Sequence, residues 1–169
     1  MSQGMVRALV LGWFGRGGNI HLRRNTGINM ELTPDPSHVN SHGPILIVDD
    51  DPDFRSAMAE LFEVSGHPVA TARDGNQALT QLRTGLVPCV IVLDLSMPRL
   101  DGFGFRREQL ADSALASIPV IVHSSHGDLA AVARRLQAAA YVRKTDTLDT
   151  LLQVVTVHCR QRDNVAVSR

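Results

Sequence analysis

Five consecutive apolar residues, Cys89 to Leu93, run straight into a single carboxylate, Asp94, and the turn residues Ser96-Met-Pro98 and Asp101-Gly102 follow at once. A short apolar run closed by turn signals predicts a strand buried on both faces, the habit of a parallel sheet. In such sheets sites form beyond the carboxyl ends of the strands. The run therefore limits the fold and also places Asp94 where chemistry is done.

The rest of the chain supplies the partners such a strand needs. Ile45-Leu-Ile-Val48 is a second apolar run, ending in Asp49-Asp50-Asp51. Asp51-Pro52 reads as a helix N-cap with proline at the first helical position, so Asp51 is taken as a cap rather than a ligand. Phe54, Ala57, Met58, Leu61 and Phe62 then fall on one helical face, and Gly66 closes the helix. His67–Ala72 is a short strand, and Asp74-Gly75 opens a helix carrying Ala78, Leu79 and Leu82, with Gly85 beyond its end. After the strand to Asp94, Gly102 to about Asp112 forms a third helix. Ile118–His123 is a strand ending in Ser124-Ser125, and Gly127–Ala138 a helix with Leu129, Val132, Ala133 and Leu136 facing in. Ala140–Arg143 is a strand ending at Lys144. A last helix shows Leu148, Leu151, Leu152 and Val155. Strands alternating with helices predict an α/β fold with a five-stranded parallel sheet covered on both faces. The flavodoxin-like doubly wound (βα)5 order 2-1-3-4-5 is the expectation for that alternation; it would set strands 1 and 3 side by side.

Composition narrows the surroundings. The chain has 169 residues, 44% hydrophobic and 20% charged, the balance of a globular domain with appendages. No apolar run approaches the roughly 20 residues that span a bilayer. The formal net charge is zero, so no global charge points to nucleic acid, but residues 1–30 carry four arginines and no acid. Residues 1–43 lack a sustained period and read as a flexible extension and linker, rich in turn residues from Thr33 to Pro44. Ala8–Phe14 resembles a signal peptide only faintly, being short and without a cleavage site, and Met30 is an alternative start. Residues 44–160 read as the folded domain and 161–169 as a polar tail. Cys89 and Cys159 sit in apolar contexts without metal spacing and are expected to be core thiols in a reducing cytoplasm. The histidine pairs His38/His42 and His123/His126 are not zinc signatures.

The residues just past the strands form a set. Strand 1 supplies Asp49, Asp50 and Asp51, strand 3 Asp94, strand 4 Ser124 and Ser125, and strand 5 Lys144. Lys144 is the only lysine in the chain, beside sixteen arginines, which points to a need for a compact ammonium there. Carboxylates converging on one sheet edge need a cation, and Mg²⁺ suits them. A carboxylate is also a nucleophile towards phosphorus, giving an aspartyl phosphate. Phosphoryl transfer asks for positioning and charge neutralisation, which Mg²⁺, Lys144 and a Ser124 hydroxyl would supply.

On these motifs residues 45–160 resemble a response regulator receiver domain of the CheY-like type. Ile45-Leu-Ile-Val-Asp-Asp-Asp-Pro52 resembles the family's acidic opening, and Val92-Leu-Asp-Leu-Ser-Met-Pro98 with Asp101-Gly102 its phosphoacceptor motif. Ser124, Tyr141 and Lys144 stand at the family's hydroxyl, aromatic switch and lysine positions. The resemblance implies that Asp94 accepts a phosphoryl group from a histidine kinase or histidine phosphotransfer protein. It implies that Asp49, Asp50, Asp94 and the Ser96 backbone carbonyl serve Mg²⁺, with Lys144 and Ser124 assisting. It further implies a switch through Ser124 and Tyr141 that changes the helix 4–strand 5–helix 5 face towards a downstream target protein. A homodimer is compatible with this reading. Two positions depart from the family. Thr145 stands where a proline is usual, so that loop is expected to be trans or rearranged, because a cis bond before threonine costs about 3 kcal/mol. The turn Gln137-Ala-Ala-Ala140 lacks the usual glycine.

Only nine residues follow position 160, fewer than the roughly 60 of a DNA-binding domain. The expectation is a stand-alone cytoplasmic receiver with no nucleic-acid domain, acting on itself rather than turning over a metabolite. The alternatives are a phosphorylation-independent interaction module on the same fold and an Asp-nucleophile phosphatase. The phosphatase needs a second acid two residues after the nucleophile, where Ser96 stands.

Overall fold

The computed structural model describes residues 43–166, with side chains described through Cys159. The expected extension, the Ala8–Phe14 segment and the Met30 start lie outside the described residues. Five strands and five helices alternate: β1 (Ile45–Val48), α1 (Pro52–Val64), β2 (Val69–Ala72), α2 (Gly75–Arg83), β3 (Val90–Leu93), α3 (Gly102–Ala111), β4 (Val120–Ser124), α4 (Leu129–Arg135), β5 (Ala140–Arg143) and α5 (Leu148–Ala166). The strands form one parallel sheet in the order β2-β1-β3-β4-β5. Fold class and strand order are therefore as expected.

The two-residue alternation of each strand divides the core. Ile45, Ile47, Val90, Val92, Ile121 and Val142 face α1 and α5, meeting Met58, Leu61 and Phe62 from one helix and Leu151, Leu152 and Val155 from the other. Leu46, Val48, Ile91, Leu93 and Val120 face the opposite way, onto Ala78, Leu79 and Leu82 of α2 and Phe105 of α3. Val122 continues that second face under Leu129 and Leu136, at α4. Every residue of β1 and β3 is buried, because helices cover both faces. Each fully buried Leu, Ile or Val contributes about 1.5–3 kcal/mol, so the strands that carry the acids are firmly held.

Local capping follows the sequence. Asp51 accepts from the Asp53 and Phe54 amides at 2.9 and 3.2 Å, and Asp74 caps α2 through the Gln77 amide at 2.9 Å. Gly66 adopts φ +82°, as a closing residue beyond α1 requires. Three boundaries differ. The α4 helix is shorter than the expected 127–138, because Asp128 caps it by accepting from the Ala131 amide. Gln137, at φ +50°, turns the chain out. The expected tail begins inside α5, which continues to Ala166.

Gln137 marks the missing glycine. A left-handed φ disfavours a residue with a Cβ, and here buried Arg106 of α3 holds the turn. Its guanidinium donates to the Leu136 carbonyl at 2.8 Å and the Gln137 carbonyl at 2.7 Å. Gln109 steadies Arg106 through Oε1 at 2.7 Å and donates to the Leu115 and Ile118 carbonyls. Among the described residues no peptide bond is cis, so Lys144–Thr145 is trans, as its sequence predicts.

The cysteines require a correction. Cys89 and Cys159 are buried as read, but they are joined to each other as a disulfide, not held as separate thiols. Cys89 precedes β3 and Cys159 lies on the core side of α5, within one apolar cluster. Their Cα atoms are 4.9 Å apart, inside the span a disulfide bridges. Seventy residues separate them in sequence, and no local pattern links them. The pairing removes the argument from thiols to a reducing compartment.

Candidate functional site

Three strand ends build the site. Asp49 follows β1 and Asp94 follows β3; the two strands are neighbours with Val48 opposite Leu93, which sets the two acids side by side. The Asp94 amide donates to the Val48 carbonyl at 2.9 Å and the Asp49 amide to the Ala72 carbonyl at 3.1 Å. Lys144 leaves β5 with its amide bonded to the Ser124 carbonyl at 3.1 Å, and its long stem crosses the end of β4. Its ammonium donates to Asp94 Oδ2 at 2.8 Å and pairs with Asp49 Oδ2 at 2.9 Å. The single lysine thus bridges two carboxylates that are almost wholly buried, at 1% and 3% exposure for Asp49 and Asp94.

The other oxygen of each carboxylate meets backbone amides. Asp94 Oδ1 accepts from the Leu95 amide at 2.7 Å and the Ser96 amide at 3.3 Å. Asp49 Oδ1 accepts from the Asp51 amide at 2.9 Å. Burial raises the Asp49 pKa, and the Asp51 amide and Lys144 only partly offset it. Burial also works against the Lys144 charge, yet the bonds to Asp94 and Asp49 outweigh it and hold its pKa above the usual lysine value. Asp50 is exposed and closes an acidic triad: carboxylate oxygens of Asp49, Asp50 and Asp94 lie within 4.8 Å of one another. Two buried acids and one open to solvent, all hard oxygen donors, fit a small divalent cation such as Mg²⁺ that keeps part of its water.

The loop beyond Asp94 is held from below. Asp101 caps α3 by accepting from the Gly104 amide at 2.7 Å, and the Gly102 amide donates to the Leu95 carbonyl at 3.1 Å. A Cβ at Gly102 would strike the Asp94 carbonyl and approach the Leu95 Cα to 2.7 Å. Glycine there lets α3 start directly against the acid's own backbone. Arg99 reaches back to the α2 cap, its Nε donating to Asp74 Oδ2 at 2.6 Å.

The other expected residues lie around this cluster. Ser124 ends β4 and is buried; among the described residues no hydrogen bond joins its hydroxyl to the acids. Ser96 is exposed on the loop. Tyr141 on β5 is 43% exposed, outside the cluster. Sequence reasoning missed Phe54 and His123. The Phe54 ring lies 5.6 Å from the Lys144 ammonium and stacks on the imidazole of His123, centroids 4.9 Å apart and planes 14° apart. The signal for Phe54 was its place on the α1 face, which reads equally well as core.

Comparison with known proteins gives the family and the fold. The family model described as Response regulator receiver domain matches residues 45–156. The chain is 33% identical over 113 residues to the C4-dicarboxylate transport transcriptional regulatory protein of Pseudomonas aeruginosa, covering 66% of this chain and 24% of that one. It is 38% identical over 81 residues to the gliding motility regulatory protein of Myxococcus xanthus, 48% of this chain and 10% of the other. The chain therefore spans between about a tenth and a quarter of the length of these two relatives. Among solved structures, the receiver domain of a signal transduction histidine kinase from Syntrophus aciditrophicus is 28% identical at TM-score 0.63, covering 70% of this chain and 91% of that one. A response regulator of Chloroflexus aurantiacus shares the fold at TM-score 0.65 and 23% identity, covering 71% and 99%.

Proposed function

The chain belongs to the response regulator receiver family of two-component systems, and from that premise we propose that Asp94 is its phosphoacceptor. The observation that carries the reading is the bridge from Lys144 to Asp94 and Asp49, at 2.8 and 2.9 Å. A carboxylate oxygen of Asp94 attacks the phosphorus of a phosphohistidine on a kinase or phosphotransfer protein. The new O–P bond forms as the N–P bond breaks, and the histidine nitrogen leaves with the electron pair and takes up a proton. Transfer replaces one negative charge at Asp94 with about two. The ammonium already seated at Oδ2 neutralises part of that increase without reorganising. Asp49, Asp50, Asp94 and the Ser96 carbonyl would hold Mg²⁺, which would supply the remaining countercharge. The Ser124 hydroxyl contacts the transferred group, and the domain turns over no metabolite.

Signal leaves through protein contact. Tyr141, exposed on β5, stands on the same edge as α4 and α5, and the added charge at Asp94 biases Ser124 and Tyr141 towards a second arrangement of that face. A downstream target protein reads the change. No described helix is long and apolar enough to cross a membrane, and the reading is of a cytoplasmic protein beside its kinase.

The test is intact mass after incubation with Mg²⁺ and a small acyl phosphate. The unmodified chain gains about 80 Da, one phosphoryl group, and Asp94→Asn gains nothing. An adduct that persists in Asp94→Asn, or none in the unmodified chain with either acyl phosphate or kinases, overturns the assignment.

A further inference from the structure

The stack of Phe54 on His123 stands beside the reactive cluster without belonging to it. Strand alternation puts His123 on the same face of β4 as Ile121, towards α1 and α5. It is paired with Val142 of β5, two residues before Lys144. It is 96% withdrawn from solvent, at 4% exposure, and among the described residues its Nδ1 has no hydrogen-bond partner. A buried polar atom without a partner costs stability, and an aliphatic residue would fill a strand position of this kind without that cost. What histidine brings is a flat ring. That ring lies nearly parallel to Phe54, and Phe54 in turn presents its ring to Lys144 within the range of a cation–π contact.

We propose that Phe54 and His123 are positioning residues for Lys144: His123 fixes the plane of the Phe54 ring, and that ring fixes where the ammonium sits between Asp49 and Asp94. The inference rests on the reading of Asp94 as phosphoacceptor, and it adds residues from α1 and β4 that touch no reacting atom. The charge state of His123 suits the part. Burial first, and then the neighbouring Lys144 charge, bring its pKa down to about 4, against smaller opposite effects of Asp94 and Asp146. The imidazole is thus neutral near pH 7. A charged ring would repel the ammonium it helps to place.

Lys144 is the sole lysine of the chain, so lysine labelled with ¹³C gives one side-chain signal in an NMR spectrum of the full chain. In the unmodified protein that signal carries the ring-current shift of Phe54. In Phe54→Leu and in His123→Leu it moves towards the position of free lysine, and the rate of Asp94 phosphorylation by acyl phosphate falls about three- to tenfold. His123→Phe keeps a flat ring beneath Phe54 and retains both the signal and the rate. His123→Leu also removes the unpartnered Nδ1, so its melting temperature holds or rises while its rate falls, an outcome that loss of packing does not give. A lysine signal unmoved in Phe54→Leu, or a rate unchanged when the signal moves, overturns the proposal. The signal is read on the protein alone. A chain that takes up no phosphoryl group therefore overturns the phosphoacceptor reading, while the lysine signal still decides whether the stack places Lys144.

Discussion

Replacing Lys144 by alanine removes the one positive charge shared by two buried acids. Carboxylate oxygens of Asp49 and Asp94 lie within 4.8 Å, and at an effective dielectric of about 20 such a pair repels by about 3 kcal/mol. The lysine side chain is 28% exposed, so solvent screens part of this, and a loss of about 2 kcal/mol is expected in Lys144→Ala without divalent cation. A cation among the acids restores the missing charge. Mg²⁺ therefore stabilises Lys144→Ala more than the parent, and the gap narrows to under about 1 kcal/mol at saturating Mg²⁺. Urea unfolding of both proteins, with and without Mg²⁺, measures the four stabilities.

The same variant separates metal binding from chemistry. Asp49, Asp50 and Asp94 remain, so Lys144→Ala still binds Mg²⁺, while phosphorylation slows about 100-fold for loss of a preorganised charge at the transferred group. Two results refute the reasoning. Equal stability of parent and variant without Mg²⁺ would mean that the acids do not need the lysine. Equal phosphorylation rates would mean that Lys144 is ordinary surface.

Other consequences are read with simpler measurements. Gly102→Ala forces a Cβ into the Asp94 and Leu95 backbone and is expected to cost about 1–3 kcal/mol, with a larger loss in phosphorylation than any surface Gly→Ala such as Gly127→Ala, where nothing lies within 4 Å; comparison of the two by thermal melts and intact mass checks it. The Cys89–Cys159 bond closes a loop of 70 residues, worth about 4 kcal/mol by chain entropy. Paired Cys89→Ala and Cys159→Ala should unfold at lower urea, and alkylation of the denatured, unreduced parent should find no thiol. The pKa of His123, brought to about 4 from an ordinary 6.5, makes the unfolded chain the better proton acceptor between those values, so stability rises with pH across that window. Lowering the pH from about 6.5 to 4 costs at most about 3 kcal/mol through this group, and subtracting the pH profile of His123→Phe isolates it.

The fold was readable because its signals are local and repeated. Each strand is a short, mostly apolar run, the first four helices open on an Asp cap, and the alternation leaves few topologies. The acids were readable for the same reason: a charge at the end of a wholly apolar strand has nowhere to be but the sheet edge. Phe54 and His123 were not. A phenylalanine on the apolar face of α1 is what core packing demands, and its contact with Lys144 depends on where β5 lies relative to α1, a relation between residues 90 positions apart. The disulfide escaped on the same ground, since two cysteines at that separation are joined only through the packing of α5 over β3.

Arg106 shows a different kind of limit. The missing glycine at Gln137 was visible as a departure from the family pattern, and so was the threonine after Lys144. What compensates for the glycine was not, because an arginine in the middle of a helix reads as solvated surface. In the folded chain it is the opposite, buried and spent on the two carbonyls that end α4. A left-handed residue with a Cβ persists only where its surroundings over-determine it, and Arg106, itself braced by Gln109, provides that determination from α3. The turn that leads into β5 is thereby tied to the helix that begins at Gly102, directly against Asp94. Through Arg106 and α3, the acid's own loop and the α4–β5 turn are held in one frame.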